Sequence, residues 1–146
     1  MSVRTATESD LEAWVALRLL LWPDTSPDTH RAEAAAVLAA PEATAFLEKA
    51  EDGSMRAFAE AALRHDHVNG CETSPVAFLE GIFVRAEDRG RGHGARLLAA
   101  VRDWARGRGC AELASDAHLS NVGSRAFHAA LGFDETEHVV FFRMPL

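Results

Sequence analysis

Residues 89–94 read Arg-Gly-Arg-Gly-His-Gly and stand three residues behind the apolar run VAFLEGIFVR. A strand, a glycine-rich turn and a helix N-terminus are together the parts of an anion cradle. The first N–H groups of a helix have no partner inside it, and the peptide dipoles favour negative charge there. Glycine lets a ligand approach the backbone without a Cβ in the way. Arg89 and Arg91 add forked cationic donors. The spacing G-x-G-x-G lacks the Lys-Ser/Thr of a triphosphate-binding loop and does not fit the G-x-G-x-x-G of a dinucleotide fold. From these residues alone, the turn is either an anion site or a flexible surface turn with solvated arginines. One arginine-glycine copy in an acidic chain argues against an RNA contact.

Carboxylates and one imidazole are the other groups with chemistry to offer. Glu80 falls late in the apolar run, and Asp116 falls late in CAELASDA. A carboxylate there could accept a proton from a reacting group. The plainer alternative is a strand carboxylate that faces solvent or pairs with an arginine. His128, in NVGSRAFHAALGF, is either a proton donor or a helix histidine with a local hydrogen bond.

These groups need a scaffold, and the chain is long enough for one domain over residues 1–146. Its 146 residues carry a formal charge of −7, with 48% hydrophobic and 25% charged residues. The charge argues against nucleic acid as the main partner and suits a cationic one. No apolar run approaches a membrane span, and MSVRTATESD has no apolar core of a signal peptide. Cys71 and Cys110 match no metal spacing and read as free thiols in a reducing compartment, so a cytoplasmic protein without a metal is expected.

SVRTA reads as a first strand. TESDLEAWVALRLLLW follows as a helix that Thr7 or Ser9 can cap, with Glu12 three residues after Ser9. Leu11, Trp14, Leu17 and Leu21 form its apolar face. RAEAAAVLAA is a second helix. ATAFLEKA, the EDGS turn and MRAFAEAALRHD predict an antiparallel hairpin; the alanine-rich second arm is also compatible with helix, and the Asp-Gly turn decides for strand. PVAFLEGIFVR is the strongest strand. A helix over 95–106, a short strand in CAELASDA, a helix in NVGSRAFHAALG and a last strand in TEHVVFFRM complete the order β-α-α-β-β-β-α-β-α-β. This is an α/β or α+β domain with a mixed sheet.

Arg89-x-x-Gly92-x-Gly94, between a strand and a helix, resembles the pyrophosphate-binding signature of the GNAT acetyltransferase superfamily. NVGSRAFHAALGF resembles a second superfamily pattern, with Asn121, Ser124, Phe127, His128, Gly132 and Phe133 at its positions. LRLLLWPD, RHDHVNGCETSPVAFLEGIFV, ELASDA and LGFDETEHVVFFR extend the resemblance to chromosomal-type aminoglycoside 6′-N-acetyltransferases over essentially the whole chain. The fold implied is the GNAT fold, with a mostly antiparallel mixed sheet flanked by helices.

The resemblance implies acetyl-CoA as co-substrate. Arg89, Gly90, Arg91, Gly92, His93 and Gly94 would hold its pyrophosphate. The edge of Ile82, Phe83 and Val84 would pair with the pantetheine arm, a backbone N–H near Val84 would stabilise the oxyanion, and Asn121 would contact the pantetheine. Glu80 and Asp116 are implied as amino-sugar ligands and proton-relay candidates. His128 stands where many superfamily members carry a tyrosine as general acid, and this chain has no tyrosine.

The implied substrate is an aminoglycoside acetylated at its 6′-amine, with drug resistance as the consequence. Trp22 would lie beside the sugar, the alternative being plain core like Trp14 and Trp104. His67 stands where relatives commonly have tyrosine, and Thr25 near a place where some have histidine. Glu72 either binds the cationic sugar or is solvated. Glu137 matches a position that contributes to the drug site. The C-terminal strand would build a homodimer, and HVVFFR is too apolar for a comfortable exposed edge. Two rival functions are a GNAT enzyme acting on another amine or a peptide N-terminus, and a non-catalytic acyl-CoA-binding domain.

Overall fold

The structure, a computed structural model, describes residues 3–146. One five-stranded sheet carries β1 (Val3–Thr5), β2 (Ala43–Lys49), β3 (Met55–Arg64), β4 (Val76–Val84) and β5 (Leu113–Ala114), in that spatial order. β1 to β4 are antiparallel neighbours, and β5 runs parallel to β4. α1 (Leu11–Leu21) and α2 (Pro27–Ala39) connect β1 to β2. α3 (His93–Gly107) leads from β4 to β5, and α4 (Val122–Ala130) follows. The mixed, mostly antiparallel sheet with helices is the fold class expected.

Each face of the sheet buries one apolar layer. Trp14 and Leu17 of α1 and Ala34 of α2 pack with Leu47, Met55 and Phe58 on one face. Leu97, Leu98 and Val101 of α3 pack on the other against Ala57, Ala59, Leu79, Ile82 and Val84, with Phe127 of α4 beside them. A large apolar side chain withdrawn from water stabilises the fold by about 1.5–3 kcal/mol, and these two layers hold the sheet between the helix pairs. The alanine-rich arm is strand β3, as the Asp-Gly turn predicts, and Gly53 of that turn has a left-handed φ of 87°.

Three expectations are corrected. The N-terminal cap uses Thr7 and Asp10, not Ser9 and Glu12: the Thr7 N–H donates to Asp10 Oδ2 at 2.8 Å, and a single 3-10 turn at Glu8–Asp10 precedes α1. The strand in CAELASDA shrinks to Leu113–Ala114. No strand forms in TEHVVFFRM. Phe141 and Phe142 are 88% and 92% exposed, because among the described residues their segment joins none of the five strands.

Asp10 joins β1 to the start of α1. Arg4 donates to it through both terminal nitrogens, at 2.8 and 2.6 Å, and its side chain is 1% exposed. These bonds, with the Thr7 N–H, hold the Asp10 carboxyl far below the usual carboxylate range. Asp10→Ala is expected to cost about 2 kcal/mol in urea unfolding at neutral pH, the scale of a lost cap and a charge-assisted hydrogen bond. The parent's advantage is present above the unfolded carboxyl value of about 3.9 and is lost as pH falls through the depressed native value. The difference between parent and variant should therefore shrink in acid.

Candidate active site

The site begins with a defect in β4. Glu60 of β3 opposes Gly81, while the next residue, Ala61, opposes Leu79. Glu80 is the extra residue, a β-bulge that bends its strand and re-aims its own side chain. On the other side of β4, β5 pairs only at Ala77↔Leu113 and Phe78↔Ala114. Past that point a side chain replaces the ladder: Ser115 Oγ donates to the Leu79 carbonyl at 3.2 Å. The strands part there, and Ile82–Val84 lie beyond the reach of β5. Glu80 and Asp116 each stand two residues past the last pair, on opposite sides of the opening, and both are exposed.

His128 reaches the same opening from α4. Its Nδ1 lies 2.7 Å from the Ser124 carbonyl, which can only accept, so Nδ1 carries a proton. Its Nε2 lies 2.8 Å from Ser115 Oγ, and its ring tilts against Phe133 with centroids 5.2 Å apart. Both ring nitrogens are engaged within the fold.

Downstream of β4, the turn has the geometry of an anion cradle. Gly90 and Gly92 take left-handed φ values of 80° and 85°, open to glycine at little cost. The first bond within α3 is Arg96 N–H to the Gly92 carbonyl at 3.1 Å, so the N–H groups of 93–95 have no helical partner. Arg91 is exposed. Arg89 donates from Nε to the Val84 carbonyl at 3.0 Å, which ties the turn to the end of β4. Gly94 lets α4 close in, since a Cβ there would fall 3.0 Å from the Phe127 ring. Asn121 caps α4, its Oδ1 accepting the Ser124 N–H at 3.1 Å. The donor set suits a diphosphate. The His93 side chain, 4% exposed, is turned into the protein, so His93 can offer an anion only its backbone N–H.

On the opposite face, a cleft of about 260 Å³ is lined by Trp22, Thr25, Glu33 and Glu80, with Arg18, His30 and Glu60 in its wall. Trp22 ends α1 and lies across Gly81. His30 stacks on its ring at 6.2 Å, and Arg18 Cζ sits 4.9 Å from the ring centroid. Arg18 Nε donates to His30 Nδ1 at 3.1 Å, which leaves Nε2–H to donate to the Trp22 carbonyl at 3.0 Å. The Arg18 fork also grips Glu60 at 2.5 and 2.6 Å and bonds Glu33, and Trp14 Nε1 donates to Glu60 at 2.8 Å. Burial pushes the Glu60 carboxyl up, against the pull of Arg18.

Comparison with known proteins decides what this arrangement belongs to. The acetyltransferase (GNAT) family profile matches residues 11–133. This chain is a member of the GNAT family. Aminoglycoside N(6′)-acetyltransferase type 1 of Serratia marcescens is 56% identical over 94% of each chain. The Stenotrophomonas maltophilia protein of that name is 52% identical over 99% of this chain and 94% of its own. The structure of AAC(6′)-Iy with the bisubstrate analog CoA-S-monomethyl-acetylneamine is 44% identical, covers 99% of this chain and 98% of that one, and superposes with a TM-score of 0.93.

Of the remaining residues expected in this GNAT domain, His67 lines a second cleft, and Glu72 and Glu137 lie on exposed segments. Arg64 pairs with Glu80 at 3.1 and 3.3 Å while its guanidinium stacks on Phe78. Arg64 also lines a second cleft, of about 450 Å³, formed by residues 63–68 and including the exposed His67. Glu72 rides on a loop clamped by Glu112, whose Oε1 accepts the N–H groups of Glu72 and Thr73 at 2.9 and 2.7 Å and the Thr73 hydroxyl at 2.5 Å. Those donors, the Thr73 hydroxyl first, hold the Glu112 carboxyl below its usual range. Gly70 brings this loop onto Thr136, since a Cβ at Gly70 would run into the Thr136 side chain. Glu137 follows in the exposed C-terminal segment. Trp22, Thr25 and Glu80 therefore share one cleft. His67 belongs to the second, and neither cleft is lined by Glu72, Asp116 or Glu137.

Arg18, His30, Glu33 and Glu60 were not among the expected residues. Their signal was present: Arg18 falls on the Trp14 face of α1 at i+4, and Glu60 interrupts the apolar AFAEAAL. The absent side chain at Gly81 is as telling. A Cβ there would lie 2.5 and 2.6 Å from Trp22 ring carbons. Gly81→Ala is expected to lower stability by about 1–3 kcal/mol, as overpacking does. It should also displace Trp22, read as a change in tryptophan emission alongside thermal unfolding.

Proposed function

We propose that the protein transfers acetyl from acetyl-CoA to the 6′-amine of aminoglycosides, by direct attack and without an acyl-enzyme. The observation that carries this is the opening between β4 and β5, flanked by Glu80 and Asp116 and leading along a free strand edge to the anion cradle. The relatives named for this activity, and the one bound to a CoA–neamine analog, support the substrate class.

Bound acetyl-CoA supplies an activated acyl group with a thiolate leaving group. In this reading the 89–94 turn holds the pyrophosphate by backbone N–H groups and arginine charge. The Ile82–Val84 edge takes the pantetheine arm, with Asn121 beside it. A protonated amine cannot attack, so Asp116 or Glu80, directly or through water, takes its proton. The amine nitrogen then bonds to the acyl carbon, the C–S bond breaks, and the thiolate accepts a proton. A backbone N–H near Val84 stabilises the oxygen that gains charge. His128, with both nitrogens engaged, holds the Ser115 side of the opening. Trp22 offers a flat face to the sugar, and Thr25, His67, Glu72 and Glu137 border the same substrate. The imidazole at His67 keeps a second reading open, acetylation of another small amine.

The exposed Val139–Phe142 segment is strand-like in sequence and pairs with no strand among the described residues. We read it as the homodimer element, placing Glu137 near a second copy's cleft. Two free thiols, Cys71 and Cys110, suit the cytoplasm.

Purified protein mixed with acetyl-CoA and a panel of amines should release free thiol with 6′-amino aminoglycosides and not with 6′-hydroxyl analogues. Release with other amines alone would establish the second reading, and CoA binding without release would mark a non-catalytic domain. Asp116→Asn should lower kcat by roughly 100-fold or more, the usual scale for general base catalysis, whereas His128→Ala should leave turnover nearly intact. In sedimentation the parent should run as a dimer, and Phe141→Asp with Phe142→Asp should shift it to monomer.

A further inference from the structure

One buried polar cluster outside the substrate clefts lies directly beneath the cradle. Glu48 of β2 is 3% exposed and sits opposite Ala57, whose small side chain leaves it room. Its Oε1 accepts Arg96 Nε and Nη2 at 3.2 and 3.1 Å. Its Oε2 lies 2.8 Å from Nδ1 of the equally buried His93. That contact is close but not aligned as a hydrogen bond, and Arg96 Nη2 bonds Nδ1 at 2.6 Å instead. Glu48 Oε2 and His93 Nε2 are left without hydrogen-bond partners among the described residues.

A half-satisfied buried charge network makes a poorer core than apolar side chains of the same volume. Packing stability therefore does not explain this one. Its connections do. Arg96 Nη1 donates to the Arg91 carbonyl at 3.2 Å, and Arg91 stands between the two glycines with left-handed φ. His93 is the first residue of α3, and its backbone N–H belongs to the cradle. The near side of the turn is tied independently to β3, by Arg85 Nε to the Met55 carbonyl at 2.7 Å. Glu48 is the corresponding tie on the far side.

We propose that Glu48, acting through Arg96, which bonds both the Arg91 carbonyl and His93, is a positioning residue that holds the 89–94 turn ready for the pyrophosphate of acetyl-CoA. It sets cofactor affinity without touching the cofactor. A turn with two glycines is free to sample many conformations, and freezing it at the moment of binding would weaken affinity. The tie to β2 removes that freedom beforehand.

Glu48→Gln keeps the volume and removes the charge. CoA binding measured by calorimetry, with no amine present, should weaken about tenfold, the scale of a lost charge-assisted contact. The KM for acetyl-CoA should rise in step, while kcat at saturating acetyl-CoA and the KM for the amine substrate stay within about twofold. Arg96→Met should give the same signature, and the double variant should be no worse than the weaker single, since both cut one path. A folded Glu48→Gln protein with unchanged CoA affinity overturns the proposal. So does an equal rise in both KM values, or additive loss in the double variant. If Glu48→Gln does not fold, Glu48→Asp withdraws the charge from Arg96, and unchanged CoA binding there overturns it equally. Because the CoA arm needs no amine, its outcome is independent of the aminoglycoside reading.

Discussion

The site depends on the failure of one ladder. β4 is paired along its length with β3, yet its hydrogen bonds to β5 end after Phe78. A parallel sheet edge left open in this way exposes backbone donors and acceptors that must find other partners. Ser115 satisfies the first of them with a hydroxyl, and His128 braces that hydroxyl from α4. The bulge at Glu80 occurs in the same strand, so the ended ladder and the bulge together supply a free strand edge, a carboxylate at its mouth and a change of direction toward the cradle.

Charge is used differently on the two faces. On the α1/α2 face the Arg18 guanidinium serves Glu60, Glu33 and His30 together, and the product is a fixed Trp22. On the α3 face a carboxylate serves an arginine that in turn bonds a histidine and the Arg91 carbonyl, and what it fixes is backbone. Each buried ion is expensive to desolvate, and in both cases the cluster abuts a region the fold must hold still.

Much of this was legible in the residues. The apolar run at 76–84, the Gly-Arg turn and the i, i+3, i+4 face of α3 specify strand, turn and helix locally, and the structure keeps them. The Asp-Gly turn correctly overrode the helical leaning of AFAEAAL. What was not legible depends on pairing between distant segments. The bulge at Glu80 exists only in register with β3, and β5 is short because Ser115 leaves the ladder. TEHVVFFRM has the composition of a strand, but composition cannot supply an adjacent edge. His93 was expected on the cofactor side because it lies in the motif; instead it turns inward to Arg96, which Glu48, forty-five positions earlier, holds, and no local pattern carries that.

The Arg64–Glu80 pair gives the site an occupant of its own. With the carboxylate already held by an internal guanidinium that rests on Phe78, an ammonium bound at Glu80 as proposed would enter an exchange of one cation for another, not a capture by a bare charge. The Coulomb gain at Glu80 is then a difference between two pairings. A single positive charge from the ligand recovers little there, and preference passes to molecules that bring additional contacts along with it. On the proposed reading Arg64 would be a threshold at Glu80, a competitor built into the sheet against which each cationic ligand would be weighed.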